Sequence, residues 1–313
     1  MQEPAIQAQG LRKSFGEVVA CDGIDLAVER GQIVGLVGPD GAGKTTAIRM
    51  LCGILPPSDG TAQVAGFDVV AQSEQVKQRI GYLPQRFSLH RDLTVHENIR
   101  YFADLYGVPE GTWERRRDEL LQITYLSPFT GRLAGRLSGG MRQKLSLVCT
   151  LIHRPEVILL DEPTTGVDPV SRRDFWKMLY DLPRQGVTML ISTPYMDEAS
   201  RCNRVAFMYE GRMLAFDRPA ELRRSLAGRI VEVRCSPQRE AREAIKRLPV
   251  VQGVEVFGDR LHIVLQKGAD PNECRDALTQ AGIDIASFQG TQPSLEDVFV
   301  TMTTRQAKVS PPA

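Results

Sequence analysis

The stretch Gly38, Pro39, Asp40, Gly41, Ala42, Gly43, Lys44, Thr45, Thr46 follows an apolar run, Ile33-Val-Gly-Leu-Val37, and precedes a helix-compatible one, Ala47-Ile-Arg-Met-Leu-Cys52. A buried strand, a glycine loop and a helix in that order point to an α/β fold with the loop at the strand's C-terminal end. The Gly-x-x-x-x-Gly-Lys-[Ser/Thr] spacing is complete and sits in the context it needs, which a chance Gly-rich turn containing Lys-Thr does not explain. The glycines let consecutive backbone N–H groups turn inward around a phosphate chain, and the helix N-terminus adds about half a positive charge. Lys44 is expected to reach outer phosphates and the Thr45 hydroxyl to ligate Mg²⁺. The chain is therefore expected to bind a nucleoside triphosphate.

At 313 residues the chain has room for one large domain and a smaller one. Its 39 basic and 38 acidic residues nearly cancel, so no global field draws it to nucleic acid or acidic lipid. No apolar run approaches the ~18 residues of a membrane span, and MQEPAIQAQG does not read as a signal peptide. Any membrane role is expected to come through a partner. Cys21, Cys52, Cys149, Cys202, Cys235 and Cys274 are scattered without a Cys-x-x-Cys pair, so they read as buried thiols rather than disulfides or a zinc site. His90, His96, His153 and His262 have no metal-like spacing.

Residues from Ile6 to Val28 alternate like a β-hairpin, and a turn at Pro56–Gly60 leads to a short strand from Ala62 to Phe67. The strand Ile80–Leu83 ends at Pro84-Gln85. From Leu93 to about Arg136 the pattern turns helical, with Arg115-Arg-Arg117 expected on a solvated face. A helix through Ile152, the strand Val157–Leu160, a helix from Val170 to Pro183 and the strand Val187–Ile191 follow. Continuous apolar strands separated by helices argue for a parallel sheet covered on both faces. After about Leu226 the texture changes to strand (Ile230–Cys235), helix (Gln238–Leu248), strand (Val254–Phe257), strand (Leu261–Leu265), helix (Pro271–Gln280) and strand (Asp284–Phe288). That β-α-β-β-α-β order predicts a small ferredoxin-like α+β domain. The expected division is a main domain over 5–226, an accessory domain over 229–304 and a disordered tail over 305–313.

Two further sets carry chemistry. Asp161 and Glu162 end a buried strand, where ligands of open α/β sheets bind; Asp161 is expected to hold Mg²⁺ and Glu162 to polarise the attacking water. Leu137-Ser-Gly-Gly-Met-Arg-Gln143 opens a helix, so Ser138, Gly139 and Gly140 form a second anion-binding device. One triphosphate needing both devices is most simply explained by a head-to-tail dimer, each chain closing the other's site.

These motifs together resemble the ATP-binding cassette (ABC) ATPases over about residues 5–225. The resemblance implies a P-loop core with an antiparallel β subdomain and a helical subdomain at about 86–153. It makes Lys44 and Thr45 Walker A residues, Asp161 and Glu162 the end of Walker B, and Leu137–Gln143 the signature. Gln85 becomes the Q-loop glutamine, catalytic and near the metal; Asp168, in Gly166-Val-Asp168, belongs to the loop crossing the dimer seam. Phe15 occupies the aromatic position that stacks on adenine, with a core phenylalanine as the alternative. The chain departs from the family in Ile191-Ser-Thr-Pro194-Tyr-Met-Asp-Glu198, where a histidine usually contacts the γ-phosphate. Proline offers no such hydrogen bond, so binding should survive while hydrolysis slows, with Thr193 or Tyr195 as possible substitutes.

Within the family, the length, Gly35–Gly43 and Ser294-Leu-Glu-Asp-Val-Phe299 resemble ABC-2-type exporter ATPases, including drug and antibiotic efflux. Ser127–Arg136 is similar to the N-terminal cassette of tandem-cassette members. The resemblance implies ATP and Mg²⁺ as cofactors, a second ABC ATPase subunit (homodimer or heterodimer) and an ABC-2-type permease as partners, and no nucleic acid. It places the chain in the cytoplasm, peripheral on the inner face of the membrane. Leu93–Asn98, just beyond the Q-loop, is the candidate for coupling to the permease, with a helix start capped by Thr94 as the alternative. The rival readings are a soluble ABC protein acting on ribosomes or DNA, disfavoured by the absence of a charged linker or coiled coil, and a weakly hydrolysing regulatory cassette.

Overall fold

The computed structural model describes residues 3–86, 89–182 and 186–309. In chain order the main elements are β1 (Ile6–Phe15), β2 (Val18–Val28), β3 (Ile33–Val37), α1 (Lys44–Leu51), β4 (Asp59–Val64), β5 (Phe67–Asp68), α2 (Ser73–Arg79) and β6 (Ile80–Leu83). Next come α3 (Val95–Leu105), α4 (Thr112–Thr124), α5 (Gly139–Leu151), β7 (Val157–Asp161), α6 (Pro169–Asp181), β8 (Thr188–Thr193), α7 (Met196–Ala199), β9 (Arg204–Tyr209) and β10 (Arg212–Asp217). The remainder is α8 (Pro219–Arg224), β11 (Ile230–Ser236), α9 (Gln238–Lys246), β12 (Val251–Phe257), β13 (Arg260–Leu265), α10 (Asn272–Gln280), β14 (Asp284–Gly290) and α11 (Leu295–Val309).

The chain forms two compact units, Met1–Phe216 and Asp217–Ala313. In the first, a six-stranded sheet runs β10-β9-β3-β8-β7-β6. β3 lies parallel to β8 and β9, and β7 parallel to β6 and β8. Every residue of β3, β7 and β8 is buried, as continuous apolar strands covered on both faces require. The parallel alignment brings the C-terminal ends of β3, β7 and β8 to one edge, where the glycine loop, Asp161-Glu162 and Thr193-Pro194 emerge. A second, antiparallel sheet runs β2-β1-β4-β5. Between β6 and β7 the chain is helical. Thr94 caps α3 in a reciprocal capping box with Glu97, while Val95 and Asn98 of the coupling candidate are buried.

The second unit carries the sheet β12-β13-β11-β14 with every neighbouring pair antiparallel. Val231, Val233, Leu261 and Ile263 form its core with Ala241 and Ile245 of α9 and Leu278 of α10. This is the ferredoxin-like order.

Several expectations change. The division falls at Phe216/Asp217 rather than after Leu226, because α8 contacts α11 within the second unit. The expected tail begins inside α11, whose buried Leu295 and Val298 anchor a helix that runs to Val309; residues 310–313 lie outside the described residues, as does Pro183. The arginine run is solvated only in part: Arg115 is exposed, but Arg116 and Arg117 are not. Arg116 is buried and bonded to Glu119, and Arg117 bonds Asp118 and His96 beside the Trp113 ring. Among the described residues no helix is long and apolar enough to cross a membrane. The six cysteines are free, and all but Cys235 are buried.

Candidate nucleotide-binding site

The loop after β3 accepts little but glycine at two points. A Cβ on Gly38 would lie 2.1 Å from the Met208 carbonyl oxygen, and one on Gly43 would lie 2.3 Å from that of Ala20. Gly43 also holds φ 98 as the N-cap of α1 and supplies no side-chain acceptor. The first-turn N–H groups of α1 are therefore left to face an anion.

Lys44 opens that helix but is only 4% exposed. Its Nζ donates to the carbonyls of Gly38 (2.8 Å) and Pro39 (2.9 Å) and lies 3.1 Å from Glu162 Oε1. The lysine thus folds back over its own loop.

Asp161, buried at the end of β7, accepts from Thr45 Oγ1 at 3.1 Å and Ser192 Oγ at 2.7 Å, both on Oδ1. Its Oδ2 is buried with no hydrogen-bond partner among the described residues. Glu162 has φ 47, a left-handed conformation that non-glycine residues adopt at a cost. Its N–H donates to Ser192 Oγ at 2.9 Å, and its carboxylate accepts from Gln85 Nε2 at 3.0 Å and Thr165 Oγ1 at 3.3 Å. Ser192 was not singled out in the sequence. It matters because the parallel register sets it beside Asp161, a relation across two strands that no local motif records.

Lys44, Thr45, Gln85 and Glu162 face a cavity of about 580 Å³ lined by residues 40–46, Ala20, Gln85, Glu162, Thr165, Pro194 and Tyr195. An Mg²⁺ ion prefers hard oxygen donors, and the orphaned Asp161 Oδ2 beside the Thr45 hydroxyl fits that preference. Gln85 donates its Nε2 to Glu162, which leaves its Oε1, the atom a metal would take, outside that hydrogen bond.

Other expected site residues lie elsewhere. Phe15 is 52% exposed at the end of β1, with Lys13 Nζ 5.4 Å from its ring centroid; it is not a core residue, and it is not among those lining the cavity. Ser138 caps α5 by accepting from the Met141 N–H. Asp168 caps α6 by accepting from Val170 and Ser171 N–H groups, and the Ser171 bond above all holds its carboxyl below the usual range. A Cβ on Gly140 would come within 2.5 Å of Ser171 Oγ, so the signature turn and the start of α6 are in close contact. Ser138, Gly139, Gly140 and Asp168 do not line the cavity of their own chain.

Pro194 does line that cavity, and it brings no hydrogen-bonding side chain. Thr193 cannot substitute for one: it is 1% exposed, donates to Glu198 Oε2 and accepts from the Tyr195 N–H. Tyr195 remains in the wall, with the Arg172 guanidinium 4.1 Å from its ring centroid.

Comparison with known proteins agrees with this geometry. Residues 21–165 match the family described as ABC transporter, and residues 218–303 match the C-terminal domain of ATP-binding proteins like DrrA1-3. The chain is 42% identical over 307 residues to a probable multidrug ABC transporter ATP-binding protein, YbhF, of Escherichia coli, covering 96% of this chain and 52% of that protein. It thus spans about half the length of that relative. It is 36% identical over 305 residues to the daunorubicin resistance ATP-binding protein DrrA2 of Streptomyces coeruleorubidus, covering 96% of this chain and 95% of the relative. Among solved structures, an ATP-binding subunit of an ABC transporter superposes with a TM-score of 0.65 at 27% identity, covering 71% of this chain and 92% of the other. The chain belongs to the ABC transporter family, as an ATP-binding cassette with a DrrA-like C-terminal domain.

Proposed function

We propose that this chain binds and hydrolyses ATP to drive a separate ABC-2-type membrane permease that exports drugs or other small molecules. The observation that carries the reading is the meeting of Lys44, Thr45, Gln85 and Glu162 around one cavity at the end of the parallel sheet, with Asp161 bonded to Thr45 behind it. In this reading Lys44 leaves Glu162 for the outer phosphates, and the loop N–H groups hold the phosphate chain. Glu162 then accepts a proton from a water whose oxygen bonds the terminal phosphorus as the bond to the bridging oxygen breaks. Thr45 and Asp161, and Gln85 through its Oε1, would hold Mg²⁺, which would supply charge neutralisation on the phosphate oxygens. Phe15 serves as the adenine platform.

Ser138, Gly139, Gly140 and Asp168, which do not line this cavity, serve the site of a second cassette in a head-to-tail dimer. The domain limits follow the two units, with 86–153 as the helical subdomain. Leu93–Asn98 is the segment coupled to the permease, and the chain acts from the cytoplasmic face of the membrane. The relatives' names, multidrug transport and daunorubicin resistance, support export.

The second reading, a weakly hydrolysing regulatory cassette paired with a complete partner, is favoured by Pro194 in the cavity wall. Sedimentation of the Glu162→Gln chain separates the two. The working homodimer predicts that Mg-ATP converts it from monomer to dimer and that an added Ser138→Arg change prevents this. A chain that binds Mg-ATP yet stays monomeric contradicts the homodimer and favours a second, different cassette.

A further inference from the structure

Glu198 is 1% exposed, yet it carries a carboxylate that the nucleotide reading leaves without a task. Its Oε1 accepts from Thr164 Oγ1 at 2.7 Å and lies 3.3 Å from Arg172 Nε; its Oε2 accepts from Thr193 Oγ1 at 2.7 Å. Thr164 and Thr193 are each 1% exposed. A buried carboxylate is costly unless its oxygens are fully served, and here three donors from three elements serve it.

Those donors join parts of the molecule that matter to the cavity. Thr164 lies two residues past Glu162, in the loop that ends at Asp168. Thr193 ends β8 and holds the Tyr195 N–H at 3.1 Å. Arg172 rides on α6, which Asp168 caps, and its guanidinium stacks on the Tyr195 ring while also pairing with Asp197. A shift of α6 or its capping loop therefore moves Arg172 and, through it, Tyr195.

We propose that Glu198 and Arg172 are positioning residues that hold Tyr195 in the cavity wall and link its placement to the Thr164–Asp168 loop. The inference rests on the nucleotide reading of the cavity. Tyr195 supplies the side chain on the wall that Pro194 cannot, and its placement depends on the loop that α6 carries. The partner of this device is the outer end of the phosphate chain.

The test compares Thr164→Val, Thr164→Ser, Glu198→Gln and Arg172→Gln in the full chain. Thr→Val keeps volume and removes the hydroxyl; Thr→Ser keeps the hydroxyl. The expected result is a fall in kcat of about tenfold or more for Thr164→Val and Glu198→Gln, an unchanged KM, and recovery in Thr164→Ser. A second readout needs no turnover. Trp176 lines a small cavity with Arg172 and Glu198, so its emission should respond to Mg-ATP in the wild type and not in Glu198→Gln or Arg172→Gln. Wild-type kcat with an intact Trp176 response in these variants would overturn the proposal. Failure of the wild type to bind Mg-ATP would instead overturn the reading of the cavity.

Discussion

Lys44 Nζ lies 3.1 Å from Glu162 Oε1, with the two side chains only 4% and 7% exposed. The cation that should meet an outer phosphate and the carboxylate that should activate water thus neutralise each other. In the proposed function an entering phosphate has to displace this pair before either side chain can act on it.

Removing only one member leaves the other charge without its counter-ion. Lys44→Ala should destabilise the chain by about 3 kcal/mol, the scale of a broken buried pair, and Lys44→Ala with Glu162→Gln should recover much of that loss. Denaturant melts of the two single variants and the double variant measure the coupling. Simple additivity would show that the pair does not act as a unit.

The glycine loop offers a contrast within one motif. Gly43→Ala drives a Cβ into the Ala20 carbonyl at 2.3 Å, whereas at Gly41, with φ 79, a Cβ meets nothing within 4 Å. Gly41→Ala should cost about 1 kcal/mol from backbone strain alone. Gly43→Ala should cost more and abolish ATP binding, since relief requires the loop to move off the sheet. Melting temperatures and nucleotide titrations of both variants check this; equal effects would contradict it.

In the second unit His262 stands between two carboxylates, Nδ1 3.0 Å from Asp297 Oδ1 and Nε2 3.5 Å from Glu232 Oε2. The hydrogen bond to Asp297 raises its pKa above 6.5 despite burial. A group whose folded pKa is raised gives its full stabilisation below its unfolded value and loses it as pH rises through the folded value. The stability gap between wild type and His262→Gln should therefore be widest below about pH 6.5 and narrow above the folded pKa. Asp297 has the opposite sign: burial alone would raise it, but His262 and Ser294 hold it below 3.8, so its contribution is lost only in strong acid. Denaturation midpoints across pH test this, and a gap independent of pH would contradict it.

How much was readable in advance depends on whether the signal was local. The glycine loop, Asp161-Glu162 and the capping serine of α5 each lie within a few consecutive residues, and the chemistry follows from their spacing. Ser192 and Glu198 do not. Their importance comes from β8 lying parallel to β7 and from α7 folding back beneath the loop after Glu162, both contacts between distant segments. β9 and β10 escaped notice because short apolar runs such as Arg204–Tyr209 do not separate strand from buried helix. Only 305–309, the end of α11, falls in the expected tail, because that polar stretch carries no apolar period to extend the helix. Arg116 shows the reverse error, since a charge cluster read as solvated places one guanidinium in the interior.

The most direct test is steady-state ATP hydrolysis by the purified chain, comparing wild type, Glu162→Gln and Pro194→His. Wild type should turn over slowly but measurably, Glu162→Gln should fall by about a hundredfold or more with ATP still bound, and Pro194→His should turn over faster. Wild-type turnover that survives Glu162→Gln unchanged would contradict the assignment of Glu162 as the base, and with it the account of the site.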